Sequence, residues 1–173
     1  MAKQDAITAE YVRSILHYDP ETGDLRWKHR NDKPGYVNSR WVGKIAGHSR
    51  KDGYSSIMID GYLYLVHRLA WLYVTGKWPC EHIDHINLDP SDNCFSNLRE
   101  ATRSQNAANS HTPISNTSGV KGVSWFKASS KWMAQIENNG KHIHLGLFST
   151  KEKAHAAYVK AAKEHFGEFA RMK

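Results

Sequence analysis

Apolar and polar positions change period several times along the chain. Residues 8–17 (TAEYVRSILH) place Val12, Ile15 and Leu16 on one helical stripe behind Thr8, a capping residue, and predict a short helix. Asp19-Pro20-Glu21-Thr22-Gly23 is a turn by composition, and DLRWK at 24–28 predicts a strand after it. Residues 54–59 and 62–66 flank Asp60-Gly61, a pair suited to a two-residue hairpin turn. Residues 67–75 (HRLAWLYVT) predict a helix with Leu69, Leu72 and Tyr73 on its apolar side and Gly76 just past its end. Residues 29–53 are rich in Lys, Arg, Gly and Asn, with Trp41 and Ile45 as the expected core anchors.

The pattern alters after a polar linker at 111–118. Strands are predicted over 120–126, 131–137 and 141–148, the last two joined by Asn139-Gly140. With those two residues as the loop, Asn138 faces Lys141, Ile136 faces Ile143 and Gln135 faces His144. One face then carries Trp132, Ala134, Ile136, Ile143 and Leu145. The other carries Lys131, Met133, Gln135, Glu137, His142 and His144. Ser149 with Glu152 forms a capping box, and Ala154, Ala157, Tyr158, Ala161, Ala162, His165 and Phe166 recur at helical spacing. That helix covers the apolar face and leaves the polar face free, in a shape that fits a major groove.

Between these regions lies the stretch IDHINLDPSDNCFSNLREATRSQNAAN, residues 83–109. It runs from an apolar residue into Asp84-His85, through an Asn/Asp-rich loop, to Asn97-Leu98-Arg99 and a helix capped by Thr102 with Gln105. Asp92 and Asn93 read as turn formers. Asp84 and Asn106 offer two oxygen donors of the kind hard cations take, if strand and helix pack together. His85 beside them has a near-neutral pKa and can accept a proton from water. Asn97 can hold the His85 ring through its amide or its backbone carbonyl. Together these groups suit phosphodiester hydrolysis. His82 is the local competitor for the base.

Composition narrows the picture further. The 173 residues are 40% hydrophobic and 24% charged, a globular balance. Apolar runs fall short of a membrane span and no signal sequence opens the chain, so a cytoplasmic protein without a membrane partner is expected. Net charge is +7 with a pI near 9.4, which suits nucleic acid. The basic segment around 28–51 reads equally as a solvated face or a phosphate-contacting arm. Cys80 and Cys94 lie outside any C-x-x-C, so structural zinc is not expected.

The central stretch resembles the HNH nuclease motif in the form found in phage and intron-encoded homing endonucleases, on Asp84-His85, Asn97-Leu98-Arg99 and Asn106. HRLAW just before it resembles phage HNH proteins as well. The resemblance implies a ββα-metal (His-Me) finger around one divalent cation, Mg2+ with Mn2+ able to substitute. It makes His85 the general base, Asn97 the orienting residue, and Asp84 and Asn106 the metal ligands. Arg68 and Arg99 are phosphate-contact candidates. Many HNH nucleases carry His where this chain has Asn106; Asn is found there in the intron-encoded branch.

Residues 119–172 resemble the APETALA/ethylene-response-factor DNA-binding domain, on Lys121-Gly122-Val123, Lys131-Trp132, Ala134-Gln135-Ile136, the run from His144 to Phe148, and Ala156-Ala157-Tyr158. The resemblance makes Lys121, Gln135, His142 and His144 DNA contacts, with Trp125 and Lys127 nearby; Lys131 joins them from the polar face. That family usually carries Arg and Trp at several of these positions, which bears on base preference.

The expected chain is α+β: a β-rich N-terminal unit (1–66), a nuclease finger (67–110), a linker (111–118), and a three-stranded antiparallel sheet packed on one helix (119–173). The expected function is metal-dependent endonuclease cleavage of double-stranded DNA, by nicking or double-strand cutting. The protein would act as a monomer or homodimer in the cytoplasm of a phage-infected or bacterial host cell. The alternative, a DNA-binding regulator with an inactive finger, runs against the presence of Asp84, His85, Asn97 and Asn106 together.

Overall fold

Thr8 begins the described fold as expected, its hydroxyl oxygen accepting from Tyr11 N at 3.2 Å to cap α1 (Ala9–Ile15). The computed structural model describes residues 7–112 and 115–171. These divide into two compact units, one up to Glu100 and one from Ala101 onward. The division falls inside the stretch expected as the finger, so the finger's helix lies in the second unit.

In the first unit the expected helix over 8–17 stops at Ile15. Its last apolar residues instead form β1 (Leu16–Tyr18), which pairs antiparallel with β2 (Leu25–Trp27) across the 19–24 turn. A short helix follows that the sequence pattern did not announce, α2 (Gly35–Trp41). Next come β3 (His48–Ser49), β4 (Ser55–Ile59) and β5 (Tyr62–Leu65), a three-stranded sheet in the order β3-β4-β5. Asp60 and Gly61 both take positive φ, +49° and +83°, as the Asp-Gly hairpin demands. The hairpin leads directly into α3 (Val66–Thr75), closed by Gly76 in the left-handed region.

Val12, Leu16, Leu25, Ile57, Ile59, Leu69, Leu72, Ile83 and Leu98 form the core of this unit. Trp41 and Ile45 are not part of it. They stand 45% and 54% exposed: α2 turns its aromatic residues outward, and Ile45 lies opposite exposed Arg26 in a segment whose backbone bonds to β2 at Lys44 and Ala46. β6 (His82–His85) and β7 (Leu98–Ala101) then pair as a two-stranded sheet.

In the second unit α4 (Arg103–Asn109) carries the expected capping box. Gln105 N donates to Thr102 Oγ1 at 3.2 Å, and Thr102 N donates to Gln105 Oε1 at 2.8 Å. β8 (Val123–Phe126), β9 (Lys131–Asn138) and β10 (Lys141–Phe148) form an antiparallel sheet in the order β10-β9-β8, packed on α5 (Lys151–Phe166). The cap of α5 is Thr150 rather than Ser149, its side chain accepting from Lys153 N.

The expected pairs Asn138–Lys141, Ile136–Ile143 and Gln135–His144 all form. Beyond them β10 bulges at Leu145, and Phe148 comes to face Trp132. Gly122, with φ +69°, lets Tyr158 of α5 press onto the sheet; a Cβ there would fall 2.1 Å from the ring. Ala101 and Ala108 join Ile136, Tyr158, Ala161, Ala162, Phe166 and Phe169 in one buried cluster, so α4 shares its core with the C-terminal sheet.

Candidate active site and nucleic-acid interface

β6 delivers Asp84 and His85 at its buried end, whereas His82, the rival base, is exposed at its start. Asp84 accepts a hydrogen bond from Arg99 Nε on β7 at 2.9 Å, an ion pair whose side chains are only 4% and 14% exposed. Arg99, expected as a phosphate contact, is thus engaged with the carboxylate next to the base. Arg68 is likewise occupied: its Nη1 donates to Glu81 O at 2.9 Å and its guanidinium lies over the Trp78 ring.

His85 is 5% exposed, and burial holds its pKa below the ordinary histidine value. A neutral imidazole is the form that can accept a proton. Its Nε2 lies 3.4 Å from Asn93 Oδ1. Asn93 looked like a turn former in the sequence, yet it is buried and held on both sides. Its Nδ2 donates to Ser91 O at 3.0 Å, and its carbonyl accepts from Tyr18 OH at 2.7 Å.

The N-terminal turn braces the same loop: Phe95 N donates to Pro20 O and Cys94 Sγ to Glu21 O. Gly23 makes that close approach feasible. It has φ +76°, and a Cβ on it would sit 2.4 Å from the backbone carbon of Asn93.

The side chain of Asn97 fixes the loop that follows His85. Its Oδ1 accepts from Asn87 N at 2.9 Å, and its Nδ2 donates to Asn87 Oδ1 at 3.0 Å and to Asp92 O at 2.9 Å. Its carbonyl accepts from Ile86 N at 2.9 Å. All four bonds fall on the loop that follows the base, and none of them is made to the His85 ring itself.

His67, at the start of α3, packs against the base. It is 5% exposed, and its ring meets that of His85 edge to face, with Tyr54 against both. Burial pushes its pKa down to about 3, so it is neutral at physiological pH.

Asn106 lies in α4 of the second unit, half-buried, its N–H donating to Thr102 O within the first turn. Among the described residues no group of three or more His, Cys, Asp or Glu is gathered for a metal. A carboxylate and an amide oxygen are donors that suit a hard cation retaining waters and phosphate oxygens, so the residue types at 84 and 106 fit such an ion. Cys80 and Cys94 are free thiols.

On the sheet of the second unit, Lys131, Gln135, His142 and His144 are exposed on the face away from α5, and Lys127 is exposed in the turn after β8. Two expected contacts lie elsewhere. Lys121 is spent on the C-terminal end of α4, its Nζ donating to Ala107 O, Ala108 O and Ser110 O at 2.7, 2.8 and 2.9 Å. Burial pushes its pKa down to about 8. Trp125 pairs directly with Trp132, ring centroids 5.2 Å apart, on the α5 side of the sheet. The open face holds Ser124 and Phe126 in its place.

A buried Asp-His pair at a strand end, an Asn-fixed loop and a capped helix, followed by a sheet with one open face, define a nuclease joined to a DNA-binding module. Family models agree on both parts. Residues 64–108 match the model described as HNH endonuclease, and 118–168 match the AP2 domain. Protein 3.8 of Escherichia phage T7 is 34% identical over 108 residues, covering 62% of this chain and 88% of the phage protein. An uncharacterized HNH endonuclease, L560, of Acanthamoeba polyphaga mimivirus is 34% identical over 130 residues, 75% of this chain and 67% of that protein. No solved structure matches. The chain belongs to the HNH endonuclease family and carries an AP2 DNA-binding domain.

Proposed function

We propose that this nuclease is a divalent-metal-dependent endonuclease of the phage or homing kind that cuts double-stranded DNA. The observation that carries the reading is the buried, neutral His85 beside Asp84, both set on a strand end and braced by Asn93 and Asn97. His85 acts as general base: it takes a proton from water as the water oxygen attacks phosphorus, and the P–O3′ bond breaks in line. Asn97 and Asn93 hold the base and its loop in place. Asp84 and Asn106 would hold a cation, Mg2+ or Mn2+, which supplies Lewis acidity at the scissile phosphate and the departing 3′ oxygen. Arg99 holds the Asp84 carboxylate in place through their 2.9 Å ion pair.

Gln135, His142, His144, Lys131 and Lys127 face the DNA duplex from the C-terminal module. One finger cuts one strand, so a monomer nicks and a double-strand break takes a homodimer or two encounters.

The test is conversion of supercoiled plasmid with Mg2+, Mn2+ or EDTA, using the parent, His85→Ala and His82→Ala. His85→Ala is expected to lower the cleavage rate by about a hundredfold or more while DNA binding persists. Parent-rate cutting by His85→Ala, or undiminished cutting in EDTA, overturns the reading.

A further inference from the structure

We propose that the N-terminal unit carries a second nucleic-acid site, a cleft that takes an unpaired base of a single strand together with its flanking phosphates. The cleft encloses about 400 Å³, within the range of small-ligand sites, and is lined from β2, α2, β3 and β4. Trp27 and Trp41 supply aromatic surface in it, Val37 an apolar wall, and Lys28 and Lys33 cations. Trp41 is nearly half exposed, with the Arg40 guanidinium 5.2 Å from its ring centroid. An exposed tryptophan beside exposed Val42, Ile45 and Met58 is an apolar patch of the sort that marks a binding surface.

The electrostatics select the occupant. Residues 24–52 hold eight Lys and Arg against three Asp, so this one segment supplies +5 of the chain's net +7. All three carboxylates are already engaged: Asp24 with Arg26, Asp32 with Arg30, and Asp52 with Arg50. By charge count Lys28, Lys33, Arg40, Lys44 and Lys51 are in excess, although Lys33 Nζ also comes within 3.7 Å of Asp32 and Lys28 Nζ donates to Arg13 O at 2.8 Å; the first three stand in the cleft or against its tryptophan.

Aromatic faces framed by surplus cations match a base that stacks and phosphates that pair. A duplex interior shows its phosphates and base edges but not its base faces, so it would leave both tryptophans unused. An apolar peptide would leave the cations unused. The proposal takes only its ligand class from the nuclease reading, and neither Asp84 nor His85 lines the cleft.

Binding is measured with the full chain carrying His85→Ala, so that no probe is cut. The probe is a fluorescein-labelled thymidine 12-mer, read by anisotropy and by quenching of tryptophan emission. Adding Trp41→Ala is expected to weaken binding by about tenfold or more, since one base–aromatic stack carries that much. Trp41→Phe is expected to recover most of the loss. Lys33→Gln with Arg40→Gln is expected to weaken binding and flatten its salt dependence, and this pair carries the test if Trp41→Ala misfolds by circular dichroism. A 12-base-pair duplex is expected to respond little to Trp41→Ala.

A uridine 12-mer separates RNA from DNA as the source of the strand; tighter binding of either by the parent, lost in Trp41→Ala, supports the site. Unchanged 12-mer affinity in Trp41→Ala and in the Lys33/Arg40 pair overturns the proposal, as does equal loss on the duplex. Failure of the parent to cut plasmid overturns the nuclease reading instead.

Discussion

The rings of His67 and His85 meet edge to face, centroids 5.1 Å apart and planes at 82°. Two imidazoles this close and this buried cannot both be charged without cost, and burial keeps His67 neutral down to about pH 3. In the unfolded chain His67 titrates near 6.5, so the unfolded state binds the extra proton between those values. Stability is therefore whole above pH 6.5 and is lost as pH falls from 6.5 toward 3. At pH 5 the loss attributable to His67 is about 2 kcal/mol. Urea midpoints at pH 7 and pH 5 check this. His67→Phe, which keeps a ring against His85 and Tyr54, is expected to show a shallower fall than the parent; an equal fall refutes the assignment.

Arg99 and Asp84 form a buried ion pair in the site, and removing one takes a close counter-charge from the other. Arg99→Ala is expected to lower unfolding free energy by about 3 kcal/mol and to suppress cleavage, because the Asp84 carboxylate loses its counter-charge. Arg99→Lys is expected to recover part of the stability and little of the geometry, since an ammonium is not a guanidinium fork. Denaturant midpoints and plasmid nicking read both. A surface phosphate contact, the role the sequence suggested for Arg99, would leave stability nearly unmoved.

Gly23 lies 70 residues before Asn93 in the chain and touches its backbone. Gly23→Ala forces either a strained positive φ or a displaced 93–94 segment, and Asn93 is the residue whose amide oxygen faces His85. The expected result is a loss of about 1–2 kcal/mol in stability with a larger relative loss of cleavage than of DNA affinity. Parallel measurement of nicking rate and duplex affinity separates the two. If affinity falls as far as rate, the substitution has damaged the fold at large.

The parts legible in the sequence are those set by local chemistry. Asp60-Gly61 and Asn139-Gly140 announced their hairpins because two positive φ angles in succession admit few residue pairs. Gly76 and the Thr102/Gln105 box marked helix ends for the same kind of reason. Asn139-Gly140 as the loop sets the β9–β10 pairing as far as His144, and the bulge at Leu145 has as its local sign only Gly146, which takes φ +131° inside the strand.

α2 escaped notice because it starts after Pro34 without a side-chain cap and buries only Asn38, so it has no apolar stripe to detect. Trp41 is apolar enough for a core, but residue type alone does not say which way a short helix faces. Asn93, Arg99 and Lys121 have types common in loops and surfaces, and their tasks depend on partners that come near only once the chain has folded.

Lys121 and the pair Gln135/His144 give the sharpest contrast between structure and resemblance. All three were expected to touch DNA. The Lys121 ammonium instead donates to carbonyls at the end of α4, where a cation offsets the unpaired C-terminal groups. Lys121→Met keeps the stem and removes a charged donor from three carbonyls, of which that of Ala108 is part-buried. It is expected to cost about 1–3 kcal/mol in unfolding free energy and to leave the slope of log affinity against log salt unchanged.

Gln135 and His144 sit directly opposite one another on the exposed face, with nothing from α5 against them. Gln135→Ala with His144→Ala is expected to leave thermal stability within about 0.5 kcal/mol, since exposed positions rarely carry more. The same double substitution should relax preference among duplex sequences, by about 1–3 kcal/mol for each base contact removed. Thermal melts, salt titrations and competition binding on the parent and these two variants decide the matter. A Lys121→Met variant with full stability and a salt slope reduced by about 0.9 would return Lys121 to the phosphate backbone.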